Sequence, residues 1–209
     1  LTMAIVFIGI MSNFMSDIGF ETYQKILDEA IRELKRTKFK ELFQEEITQQ
    51  DDFVSDCTID SDLEILIPDE YVSNIAERLS LYQRLDHANS EEELMGLHKE
   101  FEDRFGLMPK SVIDLFDTIR IRKLAIELGF EKMTLKNNIL RCHFINRPDS
   151  PYFEAAVFQK IIDYVQVGTN KAKLKQTGKL FLLIVDPILD MQNLLHFLQD
   201  MHLFCVIKK

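Results

Sequence analysis

The chain has 209 residues, 46% of them hydrophobic and 28% charged, with a net charge of −9. Those proportions describe a folded, soluble globular chain of one domain, or one domain and an appendage. No apolar run approaches the ~20 residues that a membrane helix needs. The acidity is concentrated: from Glu41 to Glu77 there are twelve carboxylates and no Lys or Arg, and the rest of the chain has a net charge of +3. Such a segment reads as a solvated linker and strand edge, or as a stretch that repels nucleic acid or faces a basic partner.

In chain order, Met3–Met11 is a short apolar run without the basic flank or cleavage site of a signal peptide. Asp17 to Lys38 predicts a helix, with Phe20, Tyr23, Ile26, Leu27, Ile31 and Leu34 as its stripe and basic residues in its last turns. One or two further turns follow Phe39. The polar break Thr48–Asp52 then divides an N-terminal linker helix region, 1–50, from a C-terminal domain, 51–209. Cys57 to Ile67 alternates apolar and polar, which predicts a half-buried strand ended by Pro68.

Three helices should follow. The first starts near Asp69, fades at His87–Asn89 and presents Val72, Ile75, Leu79 and Tyr82 on one face. The second starts in the capping box Ser90-Glu91-Glu92-Glu93, presents Leu94, Leu97, Phe101 and Phe105, and stops at Gly106 as a left-handed cap. The third runs from Pro109 to Gly129, with Val112, Phe116, Ile119 and Ile126 as its apolar face. Beyond Gly129 the period changes to two. Lys132–Lys136 and Ile139–Ile145 predict a hairpin around Asn137-Asn138. Tyr152–Val165 predicts a helix, and Lys173–Lys175 with Leu180–Val185 a second hairpin. Leu180–Val185 is apolar at every position and should be doubly covered. Asp186-Pro187 should cap a last helix, and Leu203–Ile207 should close the sheet as a strand. The fold class is α+β, a small and mostly antiparallel sheet packed with several helices.

Chemistry-bearing motifs are missing from this sequence. It has no phosphate loop, no dinucleotide glycine fingerprint, no nucleophile elbow and no His or Cys pair at metal-ligand spacing. Cys57, Cys142 and Cys205 each sit in an apolar, strand-like run and read as buried reduced thiols. His98 and His196 read as surface positions on helices. No catalytic residue, metal site or cofactor is expected in this chain.

Two polar groups stand out. Arg120, Arg122 and Lys123 form a basic band on the third helix, a possible contact surface; Arg122 lies near the apolar face and is expected to pack its stem and pair with a carboxylate. Glu100, Asp103 and Arg104 lie three and four residues apart, which places Glu100 beside both of the others on an exposed face. They read as a surface ion pair or as a charged docking surface.

The residues Leu66-Ile67-Pro68-Asp69-Glu70-Tyr71-Val72, Glu77–Leu85 (with Arg78-Leu79-Ser80-Leu81-Tyr82 at its heart), Glu91–Leu94 and Asp103-Arg104-Phe105-Gly106-Leu107-Met108-Pro109 closely resemble, in order and spacing, the C-terminal domain of bacterial transcription-repair coupling factors. Ile18–Tyr23 resembles the I-G-F-x-x-Y helix that follows the translocation motif of that family. Residues 1–14 depart from it: the glycine-rich Q-S-G segment is missing, and only Ser12 stands near its place.

The resemblance implies a cytoplasmic, non-catalytic regulatory domain. The full family protein is an ATP-dependent, helicase-like DNA translocase that displaces stalled RNA polymerase and recruits UvrA for nucleotide-excision repair. ATP and Mg belong to its motor domains. Its last domain docks on the UvrB-like N-terminal module, an autoinhibitory contact that includes the positions matching Glu100, Asp103 and Arg104. A charged face without chemistry suits such a reversible clamp. The competing reading is a nucleic-acid-binding accessory module using Arg120, Arg122, Lys123 and the hairpin lysines Lys171, Lys173 and Lys175. The overall charge and the lack of an exposed aromatic platform stand against it.

Overall fold

The computed structural model describes residues 53–207, apart from 89, 148, 169, 170 and 179. The helix expected over Asp17–Lys38, the turns after Phe39, the break at Thr48–Asp52 and the Ile18–Tyr23 match lie outside the described residues. Those described belong to one compact unit.

The elements follow in the order β1 (Thr58–Ser61), α1 (Ile75–Asp86), α2 (Glu91–Phe105), α3 (Lys110–Glu127), β2 (Phe130–Lys136), β3 (Ile139–Phe144), a 3-10 turn (Pro151–Glu154), α4 (Ala156–Val167), β4 (Ala172–Thr177), β5 (Leu180–Val185) and α5 (Met191–Ile207). Five strands form one sheet in the order β1-β2-β3-β5-β4. Only the β1–β2 pairing is parallel; the rest are antiparallel. The α+β class therefore holds.

Helix α3 belongs to both hydrophobic cores. Its first half, Val112 and Phe116, closes a cluster with Leu81, Leu85, Leu94, Leu97 and Phe101. Its second half, Ile121 and Ala125, joins the core under the sheet with Met133, Leu140, Cys142, Leu183, Leu194 and Leu198. The extended lead from Ile67 to Val72 is tied across the helices. The Ile67 N–H donates to the Tyr82 hydroxyl at 2.7 Å, and the Tyr71 hydroxyl donates to the carbonyl of Gly106 at 2.9 Å.

Local signals set several boundaries. The Ser90 hydroxyl accepts from the Glu93 N–H at 3.2 Å and starts α2. Asn137 and Asn138 take φ values of 53° and 60° in the β2–β3 turn, as a two-residue hairpin demands. Gly106 ends α2 at φ 83° and ψ −162°. That is a positive-φ region open to glycine, although not the left-handed helical cap expected.

Other expectations need correction. The first helix begins at Ile75 rather than near Asp69, because the Pro68 carbonyl accepts from the N–H groups of Tyr71 and Val72 in a tight turn, and the Asn74 side chain then caps Glu77. Its buried residues are Leu81 and Leu85, while Ile75 and Leu79 are exposed. Val72 precedes the helix, so the expected register fails. Pro109 is the N-cap of α3 and not its first helical residue. The strand expected over Cys57–Ile67 pairs only at Thr58–Ser61, although partly buried and exposed side chains alternate from Ser61 up to the buried Ile67. The helix expected from Tyr152 is broken at Ala155, whose extended backbone separates the 3-10 turn from α4. Strand β5 is interior in the sheet but buried on one face only, at Leu183 and Val185.

Leu203–Ile207 is not a strand. It continues α5, with Leu198, Met201 and Cys205 buried at helical spacing. The cap of α5 comes from Asp190, whose carboxylate accepts from the Asn193 N–H at 2.8 Å, and not from Asp186. The three cysteines are buried and free, but Cys205 sits in a helix.

Candidate docking surface

Helices α1 and α2 are held side by side by a ladder of charges. Glu77 and Arg84 lie seven residues apart on α1, which is two turns and so the same side. Glu100 and Arg104 lie four apart on α2. The Arg84 guanidinium donates from both terminal nitrogens to Glu100, at 2.8 and 2.5 Å. Arg104 donates to the same carboxylate at 2.9 Å and, through its other nitrogen, to Glu77. Along the ladder the charges therefore run Arg84, Glu100, Arg104, Glu77, alternating in sign throughout. Chiefly through the Arg84 hydrogen bonds, the Glu100 carboxyl is held down at about 2. The Arg104 guanidinium also lies over the Phe105 ring, 4.9 Å from its centre.

Asp103 stands apart from the ladder. It is exposed, and its side chain makes no ion pair or hydrogen bond among the described residues. Leu107, just beyond Gly106, is 90% exposed. Beside the ladder an open groove of about 560 Å³ runs between the helices, with Ala88, Gly96 and Leu97 among its lining and Arg84 and Glu100 on its wall. The surface thus has a fixed charged wall, with the exposed Asp103 carboxylate and the bare Leu107 side chain close to it in the chain.

Helical spacing alone accounts for the Glu100–Arg104 contact. Spacing within α2 does not account for the turn of Glu100 toward Arg84 on the neighbouring helix. Glu77 and Arg84 had a signal in their seven-residue separation, but their partners, 27 and 16 residues away, had none. Leu107 had no signal beyond lying in a turn.

The basic band of α3 is largely internally paired. Arg120 bridges Glu91 at 2.7 Å and Asp117 at 3.1 Å. Arg122 bridges Asp56 and Asp86, both at 2.7 Å, tying α3 to the β1 lead and to α1. Lys123 is exposed. The structure does not bring this band together with the hairpin lysines. Lys173 and Lys175 alternate with Leu174, whose side chain packs on the core beneath α4, so they point to the opposite side of the sheet from the helices. Two carboxylates on α3 escaped the sequence reading: Asp114, 5% exposed, accepts from Lys110 at 2.7 Å, and Asp117, 8% exposed, pairs with Arg120.

Residues 61–155, which run from the end of β1 through α1–α3 and the first hairpin, match the model of the TRCF domain. The chain is 31% identical over 169 residues to the transcription-repair-coupling factor of Rickettsia conorii, an alignment covering 81% of this chain and 14% of that protein. It is 34% identical over 122 residues to the Escherichia coli K12 factor, covering 58% of this chain and 10% of the relative. The chain is a homologue of the C-terminal domain of transcription-repair coupling factors. A crystal structure of a C-terminal domain of transcription-repair coupling factor has the same fold, with a TM-score of 0.61 at 18% identity, over 74% of this chain and 96% of that one. The chain thus spans a small fraction of the length of its curated relatives. No described helix of this TRCF-type unit is long and apolar enough to cross a membrane.

Proposed function

We propose that this unit is a non-catalytic regulatory domain of a transcription-repair coupling factor, acting in transcription-coupled DNA repair. It docks through the α1–α2 surface on the UvrB-like module of the same protein and so holds it in an autoinhibited state. The observation that carries this reading is the ladder with Asp103 left over. Arg84, Glu100, Arg104 and Glu77 satisfy one another and fix the shape of the surface, while Asp103 keeps its full bonding capacity for a partner. Leu107 supplies an aliphatic contact beside it. A contact with a charged rim and little apolar area can open again, as a clamp must.

The ladder changes which variant tests the idea. Replacing Glu100 and Arg104 disturbs the α1–α2 packing as well as any docking. Asp103→Arg leaves all four ladder residues in place. Calorimetric titration of the chain against the UvrB-like module, at low and moderate salt, should show binding that weakens with salt and falls about tenfold or more in Asp103→Arg. Unchanged affinity in Asp103→Arg and in Leu107→Ser would overturn the assignment of this surface.

A further inference from the structure

Helices α3, α4 and α5 cover one side of the sheet, where Met133, Leu135, Leu140, Cys142, Leu183 and Val185 are buried. The other side carries two rows of side chains in cross-strand register. One runs Lys132, His143, Leu182, Lys175, and the next runs Thr134, Arg141, Ile184, Lys173. Along β5, Leu180, Leu182 and Ile184 form an apolar rail. Leu180 is 45% exposed, and Leu182 and Ile184 are partly exposed and take no part in the core cluster.

Cations flank the rail on both sides. Arg141 and His143 lie on β3 with Lys132 beyond them on β2, and Lys173 and Lys175 lie on β4. Among the described residues, Lys132, Arg141, Lys173 and Lys175 have no carboxylate partner. Of the aspartates at the β1 edge, Asp60 is engaged by Lys136 at 2.8 Å and Asp62 accepts from the Asn137 N–H at 2.9 Å. His143 feels the same field: partial burial first, then Lys132 and Arg141, hold its imidazole below the ordinary value. Like charges gathered on one face of a sheet repel one another when nothing answers them. Here they gather in a chain whose net charge is −9.

We propose that this open sheet face docks an acidic amphipathic helix of a protein partner. Its apolar stripe lies along β5, and its flanking carboxylates meet Arg141 and Lys132 on one side and Lys173 and Lys175 on the other. The dimensions suit a helix. Strands lie about 4.8 Å apart, so Arg141 and Lys173, one strand to either side of Ile184, are separated by about 10 Å, close to the width of a helix. From Leu180 to Ile184 the rail runs about 13 Å, some nine helical residues. Nucleic acid fits less well. Phosphates seated over Leu182 and Ile184 would lose water without gaining a partner, and the two rows contain no phenyl, phenol or indole ring for base stacking. A second copy laid face to face would set like charges against each other. The proposal is independent of the α1–α2 assignment.

The test is amide chemical-shift mapping on the whole isotope-labelled chain. The probe is a synthetic helical peptide of about 18 residues with a leucine stripe flanked by glutamates. Shifts should cluster at Lys132, Arg141, His143, Lys173, Lys175, Leu182 and Ile184. The double variant Arg141→Glu with Lys173→Glu should weaken binding about tenfold or more, while Lys123→Glu on α3 leaves it unchanged. Lys175→Glu alone provides the same readout should the double variant fail to fold. A peptide with lysines for its glutamates, or serines for its leucines, should not bind. Absence of shifts at millimolar peptide, equal binding of the serine peptide, or tighter binding of a short DNA duplex to this face would each overturn the proposal.

Discussion

Gly129 joins α3 to β2, between Leu128 and Phe130 of the core under the sheet. Its φ is +84°, and a Cβ built on it falls among the ring atoms of Tyr152, 2.7 Å from the hydroxyl oxygen. The Tyr152 ring cannot retreat. It is fully buried, with the rings of Phe53, Phe144, Phe153 and Phe158 about it, and its hydroxyl donates to the Leu128 carbonyl at 2.6 Å. For Gly129→Ala, the positive φ costs about 1–2 kcal/mol, and overpacking a tight core costs about 1–3 kcal/mol. A displaced Tyr152 hydroxyl loses about 1 kcal/mol more. The expected total is about 3–6 kcal/mol, a large share of the ~5–15 kcal/mol that holds a domain folded. Urea unfolding followed by far-ultraviolet circular dichroism measures it as a lowered midpoint at constant slope. Gly96 is the internal control. It lies in α2 with nothing within 4 Å of an added Cβ, so Gly96→Ala should stabilise by about 0.5–1 kcal/mol. A loss under about 1 kcal/mol in Gly129→Ala would refute the claim that the Tyr152 ring is fixed.

The charge ladder gives a pH test. The Glu100 carboxyl lies at about 2 in the folded chain against an ordinary 4.5, so its contribution is complete above about pH 4.5 and is lost as the pH falls toward 2. The stability difference between the native chain and Glu100→Gln should therefore be at most about 1 kcal/mol near neutrality, because these groups are solvent-screened, and should vanish toward pH 2; a difference that grows on acidification contradicts the ladder. Burial pushes the Cys57 thiol up to about 12 and Cys205 up to about 11, and Cys142 well above its ordinary value. All three should resist a thiol reagent near pH 8 in the folded chain and react in urea; rapid native labelling of Cys142 would mean that the sheet core opens readily. Arg122→Ala removes the tie from α3 to both Asp56 and Asp86. It should cost about 1 kcal/mol, and a double-mutant cycle with Asp86→Ala should show coupling.

Much of this fold is legible because its signals are local. The Ser90 cap, the glycine at the end of α2 and the Asn137-Asn138 hairpin each act within a few residues, and the two-residue period after Gly129 marks strands wherever they pair. The errors arose where local pattern met a nonlocal decision. The apolar sequence of β5 suggested two covered faces, but coverage depends on where helices α4 and α5 come to rest, and they leave Leu182 and Ile184 outside the core. Leu203–Ile207 suits a strand as well as a helix, and Met201 and Cys205 settle it by packing inward in continuity with α5. On α1, a short turn at Pro68 moved the helix start and with it the buried face.

For the candidate surfaces the division is sharper. The sequence by itself determined that α2 carries Glu100 and Arg104 one turn apart and that Lys173 and Lys175 share a strand face, because helical and strand periods fix neighbours within one element. Only the tertiary structure decided that Arg84 crosses from α1 to take Glu100, and that Asp103 is left over. It alone put Lys132, Arg141, Lys173 and Lys175 around one apolar rail. Those juxtapositions depend on helix packing and on the β2-β3-β5-β4 order, which are set by the burial of whole elements rather than by the residues that end up facing one another.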